Sequence, residues 1–192
     1  APLPHVIDHR KMPTGTCSKT SQAYYDWGLQ SFNMASEILS TVAAIKYHFG
    51  IRVAVETGTF KGATTFPLGF LFDEVHTIEN HEEGQEADLG RNPGIQLYWG
   101  SSSEILPDLL PTLMDEKYIF FYLDAHWFDY LHPPDEIEII GRTHKNKAII
   151  MIDDCYVPWE PTIGHDTYKG IPISDEYMKP ALALAYDLDG YS

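Results

Sequence analysis

The sequence is poor in cysteine: only Cys17 and Cys155 occur in 192 residues, too few for a disulfide framework, and no C-x-x-C spacing suggests a zinc site or a redox pair. A reducing, cytoplasmic compartment fits this best. Positive charge is scarce as well. Thirteen lysines and arginines stand against 28 aspartates and glutamates, giving a formal net charge of -15. Proteins bind nucleic acid chiefly by neutralising phosphates with Lys and Arg, so DNA and RNA are poor candidates as substrates. No unbroken apolar run is long enough to cross a bilayer, and the opening APLPHVIDHRKMPTG lacks the apolar segment of a signal peptide, so no membrane partner is expected. Repeats, low-complexity tracts and the dinucleotide fingerprint G-x-G-x-x-G are also missing.

What is there suits one globular domain over residues 1–192. The chain is 44% hydrophobic and long enough to bury a sizeable core without cross-links. Residues 1–20 read as an N-terminal extension. From Ser21 to Tyr47 apolar residues recur at helical spacing (Phe32, Ala35, Ile38, Leu39, Val42, Ile45), and Gly50 sits where that helix would stop. Short apolar runs at 52–56, 74–79, 95–99, 118–124 and 147–154 read as strands. Helical stretches are expected between them at about 62–72, 82–90, 102–114 and 134–143. Ser101 and Glu104 match a capping box, and Pro133 and Pro134 followed by acids suit a helix start. Strands alternating with helices in this way predict right-handed crossovers and a mainly parallel sheet in a Rossmann-like three-layer α/β/α sandwich. Residues 155–173 read as an irregular loop beside the active site, followed by a last helix over about 174–188.

The first strand ends in Glu56-Thr57-Gly58-Thr59-Phe60-Lys61-Gly62, whose glycines let a strand-to-helix turn approach a ligand and present helix-start amides to it. In open α/β sheets ligands bind at this end of the strands. A small cationic ligand, such as a sulfonium amino acid, suits the turn better than a pyrophosphate; a merely tight turn would use the same glycines. Glu79 ends the second strand, where an acid can accept two hydrogen bonds from ribose hydroxyls, or simply be solvated within the acidic run to Glu86. Gly100-Ser101-Ser102-Ser103 follows the third strand and offers hydroxyls and amides to an adenine edge, although helix capping explains Ser101 equally well. The fourth and fifth strands end in Asp124 and in Asp153-Asp154. Three carboxylates on neighbouring strand tips repel one another unless a cation neutralises them, and an all-oxygen set suits magnesium, manganese or calcium. His126 and Trp127 follow Asp124, an imidazole beside the acids and an aromatic face beside the ligand.

In order, spacing and residue type, VAVETGTFKGATT, HTIEN, GSSSEILPDLL, FYLDAHWFDY and IIMIDDC resemble the cation-dependent, catechol O-methyltransferase-like family of class I S-adenosylmethionine-dependent methyltransferases. The resemblance runs from about Phe32 to Val157. It implies that S-adenosylmethionine is the cofactor, with Gly58, Phe60 and Thr64 lining its methionine part beside Glu56 and Gly62. It implies that Glu79 binds the ribose, that Ser102 and Ser103 next to Gly100 meet the adenine, and that Trp127 shields the ring. Asp124, Asp153 and Asp154 would hold Mg2+, which lowers the pKa of a substrate hydroxyl for in-line attack on the methyl group.

Two departures stand out. DAHW has one residue more than the family's DHWK and supplies no lysine base, which leaves His126 as the substitute if a base is needed. The family closes its sheet with a final antiparallel pair of strands, whereas here the C-terminal strands are short or missing. Either the chain is cut short or a second subunit covers that edge as a homo-oligomer. The expected function is metal-assisted O-methylation of a small hydroxylated molecule such as a catechol, a sugar or a secondary metabolite, with Asp124 and His126 as catalytic candidates. Tyr24, Tyr25, Trp27 and Trp159 are candidate pocket residues, equally suited to core or surface. One alternative is a metal-dependent hydroxylase or hydrolase on the same fold, which an approach of His165 and Asp166 to Asp124 would favour. The other is a non-catalytic cofactor-binding module.

Overall fold

A computed structural model describes residues 36–81, 89, 92–125, 130–160 and 164–187. Helix α1 (Ser36–Phe49) leads into strand β1 (Val53–Thr57). The helix stops where Gly50 adopts a φ of 65°, after which the Ile51 amide closes on the Lys46 carbonyl at 3.0 Å. The earlier part of the predicted leading helix lies outside the described residues. There follow α2 (Thr65–Leu71), β2 (Glu74–Glu79), β3 (Ile95–Trp99), α3 (Ser102–Leu109) with a 3-10 turn over Leu110–Leu113, β4 (Ile119–Leu123), α4 (Pro133–His144) and β5 (Ala148–Ile152). A two-residue antiparallel pair, β6 (Thr167–Tyr168) and β7 (Ile171–Pro172), then precedes α5 (Asp175–Ala185). The helix expected over 82–90 falls outside the described residues except for Leu89, which is buried.

The first five strands form one sheet in the order β3-β2-β1-β4-β5, with every neighbouring pair parallel. This is the α/β arrangement that the alternation of elements predicts. Strands β1 and β4 are buried along their whole length, as the middle of a sheet covered on both faces requires. Successive side chains of β1 take opposite faces. Val53 and Val55 pack with Ile105, Ile137 and Met178 of α3, α4 and α5, whereas Ala54 packs with Val42 and Leu68 of α1 and α2. On the second face Phe72 and Phe120 stack at 5.4 Å. Helices α4 and α5 meet closely at Gly141, where an added Cβ would lie 2.8 Å from the Leu184 carbonyl carbon.

Helix starts follow local chemistry in part. Pro133 opens α4 with Asp135 and Glu136 in its first turn, and the Ser174 hydroxyl caps α5 by accepting the Tyr177 amide at 3.2 Å. The capping box predicted at α3 does not form. Ser101 is the N-cap residue, yet its hydroxyl meets that of Ser103 at 2.9 Å, and the Glu104 amide bonds the Ser101 carbonyl instead. A run of three serines offers the cap a nearer partner than the helix amides.

Strand β5 is the outer strand on its side, and only its first residue is fully buried. Among the described residues no final pair of strands extends the sheet, because β6 and β7 pair only with each other. The Tyr186 hydroxyl donates to the Ala148 carbonyl at 3.0 Å, and an apolar groove of about 280 Å³ is lined by Ile150 and Ile152 together with Met178, Leu182 and Trp159. Among the described residues no helix is long and apolar enough to cross a membrane.

Candidate cofactor site at the strand tips

The order of the strands reverses between β1 and β4, and the chain leaves the carboxyl ends of both there. At this point Gly58 holds a φ of 87° and lies so close to β4 that a Cβ would sit 2.6 Å from the Asp124 carbonyl oxygen. The turn continues through Phe60 at φ 45° and Gly62 at φ 79°, with the Gly62 amide donating to the Thr59 carbonyl at 2.8 Å. Phe60 carries a side chain in a region that favours glycine. Its amide donates to the Glu79 carboxylate at 2.6 Å, a contact that holds the strained residue in place. Thr64 is the N-cap residue of α2 and makes no side-chain cap hydrogen bond.

Glu79 does more than its sequence position suggests. One carboxylate oxygen accepts the Phe60 amide, and the other accepts the amides of Asn80 at 2.8 Å and His81 at 2.6 Å. A carboxylate offers about four acceptor positions. Among the described residues three amides use this capacity, so the carboxylate ties the glycine turn to the tip of β2.

Glu56 is fully buried on the α2 face, where it accepts hydrogen bonds from the hydroxyls of Thr65 and, at 2.6 Å, Thr77; Thr59 in turn meets Thr77 at 2.5 Å. These three threonines were not singled out in the sequence. The available signal was a polar residue inside an apolar strand, as at Thr77, which needs a partner once buried. At the third tip Gly100 has a φ of 150°, Ser102 is buried with no hydroxyl partner among the described residues, and Ser103 is exposed. Residues His126 and Trp127 lie outside the described residues, as do Tyr24, Tyr25 and Trp27; Trp159 is 83% exposed.

The acids do converge. Burial, followed by the charges of Asp153, Glu56 and Asp154, pushes the Asp124 carboxyl up to about 9. Burial also pushes Glu56 up to about 7, against the hydrogen bonds from Thr65 and Thr77 and with the charge of Glu79 adding to the rise. Tyr122 lies beneath this group on β4, and its phenol is held neutral by burial and then by Asp124 and Asp153. Among the described residues no three His, Cys, Asp or Glu side chains stand in a metal-holding arrangement. The acids of this cluster offer only oxygen donors, and their mutual repulsion is what a hard divalent cation would relieve. The loop after β5 returns to this tip, with the Asp166 amide on the Asp154 carbonyl at 3.0 Å and the His165 ring against Tyr156.

These shifts fix a pH dependence. In the unfolded chain both carboxyls ionise near their ordinary values of 4.5 and 3.8, whereas the fold keeps Glu56 protonated up to about 7 and Asp124 up to about 9. Between these limits the native state binds more protons than the unfolded state, so stability falls as pH rises. Glu56→Gln is expected to remove the portion of the fall between about pH 4.5 and 7, on the order of 1 to 3 kcal/mol. Urea denaturation of both proteins at pH 5 and pH 8 checks this, and parallel profiles would contradict it.

The strand order, the reversal at β1 and β4 and the glycine turn above it make an α/β fold that solved O-methyltransferase structures share. Three solved structures illustrate the match. An assigned O-methyltransferase of Klebsiella pneumoniae aligns with a TM-score of 0.58 at 15% identity, over 91% of this chain and 80% of that one. TomG of Streptomyces achromogenes, an O-methyltransferase involved in tomaymycin synthesis and solved with SAM, aligns with a TM-score of 0.57 at 16% identity over 95% and 82%. An assigned caffeoyl-CoA O-methyltransferase of Staphylococcus aureus gives 0.51 at 17% identity over 81% and 72%. At these identities the match establishes the fold. No protein-family model matches the sequence, and no curated protein matches it.

Proposed function

We propose that this chain is an S-adenosylmethionine-dependent O-methyltransferase acting on a small hydroxylated molecule. The observation that carries this reading is the glycine turn after β1, tied through the Phe60 amide to Glu79 at the tip of β2 and placed where the sheet order reverses. In this reading Gly58, Phe60, Gly62 and Thr64 receive the methionine part of the cofactor above Glu56, and Glu79 binds the ribose. Gly100, Ser102, Ser103 and Trp127 surround the adenine. The solved neighbour TomG, which binds SAM on the same fold, supports the choice of cofactor.

Bound there, S-adenosylmethionine would supply its sulfonium methyl group to the acceptor oxygen and would leave as the neutral thioether. The acceptor's proton must leave. His126, two residues after Asp124, is the candidate to take it if a base is needed. Asp124, Asp153 and Asp154 are the residues that would hold Mg2+, and a bound ion would supply Lewis acidity to the acceptor hydroxyl. The test is transfer of labelled methyl from S-adenosylmethionine to a panel of catechols, sugars and phenolic metabolites, with magnesium and with a chelator. Product on one acceptor class supports the reading, and its loss on chelation supports the cation. Cofactor binding with no transfer to any acceptor would favour a non-catalytic binding module instead.

A further inference from the structure

We infer that Glu136, on the first turn of α4, is a positioning residue for the cofactor turn; this rests on the cofactor reading above. Glu136 is 1% exposed, an unusual place for a carboxylate, and it accepts a hydrogen bond from the Thr57 hydroxyl at 3.2 Å across 79 residues of sequence. An acid in a helix's first turn also interacts well with the helix dipole, but that role is served at the surface. The neighbouring Asp135 is less buried, is bound to the Tyr130 hydroxyl and already fills it.

Thr57 is the last residue of β1 and the joint on which the site turns. Its carbonyl accepts the Asp124 amide at 3.0 Å, and the next amide, that of Gly58, donates to Ile78 of β2 at 2.9 Å. Consecutive strand residues point to opposite faces, so Glu56 and Thr57 anchor the strand end in opposite directions. Below one face Glu56 is held by Thr65 and Thr77, and on the other Thr57 is held by Glu136. The turn that receives the cofactor therefore leaves a strand end clamped on both faces. The effect of Glu136 passes through the geometry of Thr57 and Gly58.

The experiment is calorimetric titration of S-adenosylhomocysteine into wild type, Glu136→Ala, Glu136→Gln and Thr57→Val, with Ile140→Ala, a buried α4 position, as a control for general destabilisation. Glu136→Ala and Thr57→Val are each expected to weaken binding about tenfold, and the double variant little more than either, because both remove the same contact. Glu136→Gln, whose amide oxygen accepts the same bond, stays within about threefold of wild type, and Ile140→Ala lowers the melting temperature without changing affinity. Should Glu136→Ala fail to fold, Thr57→Ser against Thr57→Val carries the same comparison, with binding kept in the first and weakened in the second. Wild-type affinity in a folded Glu136→Ala or Thr57→Val, or equal weakening by Ile140→Ala, overturns the inference alone. Absence of binding by wild type overturns the cofactor reading and this inference with it.

Discussion

Gly58→Ala is expected to weaken S-adenosylhomocysteine binding by about a hundredfold and to destabilise the fold by on the order of 3 kcal/mol. The reason is local and steric. The added methyl would lie 2.6 Å from the Asp124 carbonyl oxygen and 2.9 Å from its carbon, both main-chain atoms that cannot rotate aside, and the residue holds a φ of 87° that disfavours any Cβ. Relief requires the tips of β1 and β4 to part, which moves the turn and Asp124 together. Gly100→Ala is the comparison that isolates the main-chain clash: its φ of 150° also disfavours a side chain, but the nearest obstacle is the flexible Ile105 side chain at 3.3 Å. Titration calorimetry and thermal melts of the two variants check the contrast. Equal affinities for Gly58→Ala and wild type would mean that the close approach of the strands has no bearing on the site.

Glu79→Ala should be nearly as damaging to binding, again by about a hundredfold, but for an electrostatic reason. The substitution strips this acceptor from three amides at once, those of Phe60, Asn80 and His81, and loosens the hold on the left-handed backbone of Phe60. Glu79→Gln is expected to lose at least tenfold, because its NH2 group would face an amide donor where a carboxylate oxygen now accepts. The measurement is again cofactor affinity, paired with circular dichroism to show that the sheet persists. Binding within twofold of wild type in a folded Glu79→Ala would remove Glu79 from the site.

These two residues show what the sequence reveals and what it hides. Gly58 and Glu79 are visible because each ends a short apolar run, and in a parallel sheet the ends of such runs gather at one edge. The five sheet strands are legible for the same reason: β4 is a continuous buried apolar segment, β1 is one as far as Val55, and all five lie within two residues of the expected spans at either end. The convergence of Asp124, Asp153 and Asp154 follows from the strand order, and the mutual effect on Asp124 reflects it. What Glu79 binds within the protein was not legible, because it depends on a turn in which Phe60 adopts a conformation that its residue type does not suggest. Glu136 was hidden for a different reason. Acids at helix starts are common, and its partner lies 79 residues away on the far side of a crossover. The serine run at Ser101 misled in the other direction, since a matching cap pattern does not specify which hydroxyl partner wins.

The account stands or falls on the cofactor. The most direct test is calorimetric titration of S-adenosylmethionine and S-adenosylhomocysteine into the wild-type protein, each with excess magnesium and again with a chelator. Saturable one-to-one binding of both is the expected result, and loss of any magnesium effect in Asp153→Ala is what would assign the cation to the acidic cluster. Absence of binding to either compound under both conditions would contradict the central claim that the turn between Thr57 and Gly62 is a cofactor site.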